Sequence, residues 1–123
     1  MKTTGIQTII YIVNDINKAK EWYSKAFDTL PYFDEPFYVG FNIQGYELGL
    51  QPEENNQNIK QESVVGYWGV EYIHVEYQKL INLGAVELEK PHDVGGDIIT
   101  ATCKDPWGNT IGLIYNPHFK LNI

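Results

Sequence analysis

The sequence predicts an α+β domain in which one unit, a strand followed by a helix and three more strands, occurs twice. Two β-branched and aromatic runs, Thr8–Asp15 and Val64–Val70, are typical of strands. Apolar residues recur at helical spacing soon after each run, and three short extended segments follow each helix. Because 123 residues are enough for one closed core, we predict a single domain over residues 1–123.

The first unit is predicted to cover residues 6–52. After the strand, Asn14 or Asp15 can cap a helix by accepting hydrogen bonds from its free backbone N–H groups. The apolar residues that follow share one helical face; they are Ile16, Ala19, Trp22, Tyr23, Ala26 and Phe27. The three extended segments lie around Tyr32–Phe33, Tyr38–Ile43 and Tyr46–Gln51.

The second unit is predicted to cover residues 64–116, after a polar linker at 53–63. Its helix is predicted over Ile73–Gly84, where Gly84 suits a left-handed carboxyl-terminal cap. Three more strands are expected in "VELEKP", "DIITATCK" and "TIGLIYN". Because both units have the same order of strands and helix, the sequence indicates an internal duplication.

The charge of the chain disfavours two classes of partner. The chain has sixteen acidic and nine basic residues, its net charge is −7, and it contains no arginine. Nucleic-acid binding requires clustered basic residues, so we expect neither nucleic acid nor a membrane as partner. One cysteine cannot form an internal disulfide, and the first residues enter a strand pattern without a signal-peptide pattern. We therefore expect a cytoplasmic protein.

Four motifs resemble those of the vicinal oxygen chelate superfamily, which includes glyoxalases, bleomycin-resistance proteins and extradiol dioxygenases. They are "YIVNDINKAKEWY", "LGLQPE", "WGVEYIHVEYQKLINLGA" and "KDPWGNTIGLI". The resemblance implies two βαβββ modules whose sheets form a cupped, partly open β-barrel around a ligand cavity, with the helices outside. It also implies a homodimer, because members commonly dimerise.

The resemblance further implies where the superfamily's enzymes would place metal ligands. The first position, seven residues before Asp15, is Thr8, and its equivalent in the second unit is Val65. The closing strand of the second module has Gly112 where the enzymes have glutamate. The matching position in the first module is Glu47 or Gly49, depending on the register.

These positions offer one carboxylate, whereas a divalent metal site requires three or four side-chain ligands. The three histidines lack metal-binding spacing with one another, and Cys103 has no neighbouring base. We therefore predict no metal centre and no cofactor.

Strand alternation predicts which residues face a ligand. In "YELGL", Leu48 and Leu50 are expected to pack under a helix, which turns Glu47 and Gly49 towards the cavity. An aromatic wall is expected from Tyr67, Tyr38 or Phe41, Trp107 and Tyr32. The predicted ligand-binding residues are Thr8, Ile10, Tyr38, Phe41, Glu47, Gly49, Val65, Tyr67, Trp107 and Gly112.

Three functions fit this pattern. The first is a metal-independent protein that binds a small molecule, in which Glu47 and aromatic rings attract a cationic or aromatic compound. The second is a lyase, isomerase or dioxygenase of the superfamily with a non-standard site, in which Glu47 is the candidate general base. The third is an interaction module whose cavity is filled by its own side chains. We favour the binding protein over the enzyme.

Overall fold

A computed structural model of the chain describes residues 1–54 and 64–119. The described residues fall into two compact units, one on each side of the gap. Each unit consists of a strand, a helix and three strands in that order. The predicted α+β class and the two βαβββ modules are therefore confirmed. Most of the predicted linker, 53–63, lies outside the described residues.

The first unit contains one four-stranded sheet and one helix. The elements are β1 (Thr8–Val13), α1 (Ile16–Ala26), β2 (Phe33–Glu35), β3 (Tyr38–Ile43) and β4 (Tyr46–Pro52). In the sheet, β1 pairs in parallel with β4, and β4 pairs with β3 and β3 with β2 in antiparallel fashion, which gives the order β1-β4-β3-β2.

The second unit repeats this topology. Its elements are β5 (Tyr67–Gly69), α2 (Ile73–Asn82), β6 (Val86–Gly95), β7 (Ile98–Lys104) and β8 (Thr110–Tyr115), and its strands have the order β5-β8-β7-β6. Strand β5 is shorter than the predicted run Val64–Val70, and Val65 lies before it. Glycine weakens strands, and this run contains Gly66 and Gly69.

Helix α1 defines the two faces of the first sheet. The Asp15 side chain caps it by accepting a hydrogen bond from the backbone N–H of Lys18 at 3.1 Å. The ring of Tyr23 on α1 stacks on that of Tyr11 on β1, with centroids 5.5 Å apart. Alternate residues of the neighbouring strands are buried on this side; they are Val13, Val39, Phe41, Leu48 and Leu50. The opposite side, which α1 does not cover, is called here the helix-free face.

The second unit has its own core under α2. The Tyr77 hydroxyl on this helix donates to the backbone carbonyl of Thr102 at 2.9 Å. Cys103 is fully buried, and this burial raises the pKa of its thiol to about 12. The buried carboxylate of Asp105 accepts from the backbone N–H groups of Trp107 and Asn109, which orders the turn before β8. In the described part of the chain, no helix is both long and apolar enough to cross a membrane.

Candidate functional site

The helix-free face of the first sheet is the candidate site. The register places Thr8 opposite Glu47, and Glu47 opposite Asn42. Because paired residues point to the same side of a sheet, these side chains lie on the face that α1 leaves uncovered. The register also places further residues on this face; they are Ile10, Ile12, Phe33, Glu35, Tyr38, Gly40, Gly49 and Gln51.

Glu47 is the centre of a hydrogen-bonded cluster on this face. Its Oε1 accepts from the Tyr38 hydroxyl at 2.7 Å and from the Thr8 hydroxyl at 3.2 Å. Its Oε2 accepts from the Tyr32 hydroxyl. These three donors come from β3, β1 and the segment before β2, so the cluster joins groups that are distant in sequence. We call Glu47, Tyr32, Tyr38 and Thr8 the carboxylate cluster.

Two glycines make room for the tyrosine rings of the cluster. A Cβ atom at Gly49 would overlap the Tyr38 hydroxyl and lie 2.7 Å from Cζ of the same ring. A Cβ atom at Gly40 would lie 3.0 Å from Oε2 of Glu47 and 3.1 Å from Cε1 of Tyr32. Gly40 and Gly49 are direct neighbours across β3 and β4. The paired glycines thus form a shallow depression in the sheet that the two rings occupy.

The cluster favours the ionised carboxylate. Hydrogen bonds from Tyr32 and Tyr38 lower the pKa of Glu47, and this effect outweighs the opposing effect of partial burial. Burial first, and then the hydrogen bond to Glu47, raises the pKa of Tyr38. The hydrogen bond to Glu47 is the main cause of the raised pKa of Tyr32. At neutral pH the cluster is therefore a fixed negative charge surrounded by neutral phenols.

Exposed aromatic and aliphatic side chains surround this charge. The Phe33 ring lies 6.2 Å from that of Tyr38 and 6.1 Å from that of Phe37. Tyr32 and Phe37 are 63% and 65% exposed, which leaves ring surface accessible to a ligand. Ile10 on β1 adds exposed apolar surface. A carboxylate next to accessible ring faces is the arrangement that attracts organic cations.

The second unit has a tyrosine over a glycine at the corresponding point of its sheet. Tyr67 pairs with Gly112 just as Ile10 pairs with Gly49 in the first unit. A Cβ atom at Gly112 would lie 2.7 Å from Cδ1 of Tyr67 and 2.8 Å from the carbonyl oxygen of Gly66. Trp107 lies in the turn before β8 and is half-buried. An aromatic ring therefore covers Gly112, the position at which the resemblance implies a glutamate in the metal enzymes.

The prediction that Phe41 faces a ligand is wrong. Phe41 pairs with Leu48 and is fully buried on the side of α1, so it belongs to the core and does not lie next to Glu47. Tyr38 is the member of the predicted pair that lies on the helix-free face. Residues three apart in a strand point to opposite sides, which explains why only one of the two can do so.

Gly40, Phe33 and Phe37 were not predicted from the sequence as site residues. Gly40 interrupts a run of large residues in β3, and such an interruption is the signal that could have identified it. Phe33 and Phe37 lie at the two ends of the β2–β3 hairpin, where no strand periodicity assigns a face.

The carboxylate cluster does not fit the metal site of the superfamily's enzymes. A divalent ion requires several ionised or imidazole ligands, but the side-chain hydrogen-bond partners of Glu47 among the described residues are three hydroxyl groups. Within residues 1–54 and 64–119, no three His, Cys, Asp or Glu side chains are grouped so that they could hold a metal ion. His74, His92 and His118 are exposed.

Comparison with known families decides the assignment of the chain. The family model of the Glyoxalase/Bleomycin resistance protein/Dioxygenase superfamily matches residues 5–113. The chain belongs to this superfamily. Members of the superfamily bind small molecules and commonly dimerise. A search of curated protein sequences finds no match to this chain.

Solved structures of the superfamily are similar to this chain in fold. A glyoxalase-related enzyme from Fulvimarina pelagi gives a TM-score of 0.80 at 16% identity, covering 98% of this chain and 94% of its own. A fosfomycin resistance protein from Listeria monocytogenes, complexed with Mn(II) and sulfate, gives 0.78 at 15% identity, covering 95% and 94%. A lactoylglutathione lyase from Agrobacterium tumefaciens gives 0.73 at 16% identity, covering 97% and 100%. At these identities the comparisons show the superfamily fold alone.

Proposed function

We propose that the chain is a metal-independent binding protein for a small organic cation with aromatic character. The ligand would bind on the helix-free face of the first sheet, with its charge next to Glu47. The observation that supports this most is the carboxylate cluster, in which three hydroxyl donors hold an ionised carboxylate beside exposed aromatic rings. The net charge of −7 adds a long-range attraction for cations.

The same geometry argues against general-base catalysis by Glu47. An effective general base has a pKa near the pH at which it operates. The pKa of Glu47 is instead lowered by the hydroxyl groups around it. The carboxylate is therefore a weak base, and its charge is better suited to attracting a cation than to abstracting a proton.

Calorimetric titration with benzyltrimethylammonium tests this function. We expect saturable binding to the chain and a loss of about tenfold in affinity for Glu47→Gln, because the substitution removes the charge and keeps the size of the side chain. Glu21→Gln on α1 changes the net charge equally on the other side of the sheet, so it should bind like the unmodified chain. Equal weakening by both variants, or no binding to the unmodified chain, would contradict the proposal.

We also propose that each chain forms one domain over residues 1–123 and that two chains associate as a cytoplasmic homodimer. The tendency of the superfamily to dimerise supports the dimer. The free, buried thiol of Cys103 is compatible with a reducing compartment. Light scattering coupled to gel filtration measures the mass in solution, and a monomer would count against the dimer. The module bounds 6–52 and 64–116 stay predictions.

A further inference from the structure

Glu47 has little remaining hydrogen-bonding capacity. An ionised carboxylate has about four lone-pair positions for donors. In the carboxylate cluster, Oε1 accepts from two hydroxyls and Oε2 from one, so roughly one position is left on Oε2. The charge of Glu47 is thus available to a ligand while most of its lone pairs are not.

An available charge with occupied lone pairs affects primary ammonium groups and quaternary ammonium groups differently. A primary ammonium has three N–H donors that are strongly hydrated, and it loses free energy when they leave water without full replacement. A quaternary ammonium has no N–H donor, so it gains the Coulomb attraction without needing lone pairs. Its methyl groups also contact aromatic ring faces well, which is how aromatic cages recognise such cations.

We infer that the carboxylate cluster selects cations without N–H donors, that is quaternary ammonium or N-alkylated heteroaromatic cations, over primary ammonium compounds. This inference rests on the proposed function, since it specifies the class of cation bound at the same face. Tyr32 and Tyr38 are the specificity-determining residues, because their hydroxyls occupy the carboxylate. The rings of Phe33 and Phe37 supply apolar contact but do not distinguish the ligands by their donors.

A methylation series of one aromatic amine tests the inference. Benzylamine, N-methylbenzylamine, N,N-dimethylbenzylamine and benzyltrimethylammonium are all cations at neutral pH, and the number of N–H donors falls along the series. We expect the affinity measured by calorimetry to rise along it, by about tenfold from first to last, which corresponds to one unreplaced hydrogen bond.

The matched variant is Tyr32→Phe/Tyr38→Phe, which keeps both rings and removes the two phenolic donors. Freed lone pairs should then accept from ammonium groups, so the rise along the series should flatten to about twofold or reverse. Because Tyr38 is half-buried, circular dichroism should confirm that the double variant is folded. Tyr32→Phe alone, at an exposed position, provides a second variant. In it the rise in affinity along the series should be smaller than in the unmodified chain but larger than in the double variant.

Three results would overturn the inference, and they differ from one another. If benzylamine binds the unmodified chain at least as tightly as benzyltrimethylammonium, the selectivity is wrong and the proposed function stands. If the rise persists unchanged in the folded double variant, the rings and not the occupied carboxylate cause it. If no member of the series binds, the proposed function fails and the inference fails with it.

Discussion

The hydroxyl of Tyr38 occupies the space that a side chain at Gly49 would need. Gly49 lies on β4, one of the two inner strands, and the Tyr38 ring crosses this glycine so that its hydroxyl reaches Oε1 of Glu47 at 2.7 Å. The absent side chain at one position thus determines where the hydroxyl of another residue lies. The carboxylate cluster depends on this relationship as much as on the residues that form its hydrogen bonds.

Gly49→Ala should therefore displace Tyr38 and lower stability. We expect a loss of about 1–3 kcal/mol in the free energy of unfolding, measured by urea denaturation, because the added methyl group overlaps the phenol. In a Tyr38→Ala background the same substitution should be neutral or slightly stabilising, since alanine suits a strand better than glycine. Gly69→Ala in β5 is the control, because among the described residues only its own chain neighbours lie within 4 Å of the added Cβ. Additive losses in the double variant would contradict this explanation.

Gly112→Ala should lower stability for a different reason. Here the added Cβ atom meets both the Tyr67 ring and the backbone carbonyl of Gly66, which accepts a hydrogen bond from the Gly112 backbone N–H at 3.0 Å. We expect a loss of about 1–3 kcal/mol in the free energy of unfolding. Removing the ring by Tyr67→Ala should relieve only part of it, since the backbone contact stays. Full relief in that double variant would show that the carbonyl is not an obstacle.

The stability that Glu47 contributes should depend on pH in the acidic range. The pKa of this carboxyl is lowered from its ordinary 4.5 in the folded chain. Its contribution is therefore present above pH 4.5 and is lost as the pH falls through the lower folded-state pKa. We expect the difference in free energy of unfolding between the unmodified chain and Glu47→Gln to shrink over that interval.

Carbon-13 NMR of the Glu47 carboxyl measures the same pKa directly. In Tyr32→Phe/Tyr38→Phe the two main donors are absent, so the pKa of Glu47 should rise towards 4.5. The Thr8 hydroxyl remains as a weaker donor and should keep part of the shift. A pKa at or above 4.5 in the unmodified chain would show that desolvation, and not hydrogen bonding, determines the charge of Glu47.

Local patterns identified most of the elements. Helix α1 follows from the apolar spacing around Trp22 and Tyr23 and from the cap at Asp15, and these signals are contained in about a dozen consecutive residues. Strand alternation alone placed Leu48 and Leu50 towards the helix, and both are buried there. The length of β5 was overestimated, because pairing with β8 is confined to Tyr67–Gly69.

The composition of the carboxylate cluster was harder to predict. Alternation indicated that Glu47 and Gly49 share a face, but it could not show which hydroxyls reach Glu47. Tyr32 lies before β2, outside any strand, and its approach to Glu47 depends on the path of the chain there. For Phe41 a ligand contact was predicted that the structure contradicts. Its aromatic character suggested the contact, but its register with Leu48 places it in the core.

The sequence by itself determined the duplicated βαβββ order and the family. These features depend on residue identity and short-range periodicity, which are visible without coordinates. Only the tertiary structure decided that Tyr38 and Tyr32 fill the space above Gly49 and Gly40 and donate to Glu47. That outcome depends on strand register and on contacts between residues distant in sequence, and a pattern within one strand contains neither.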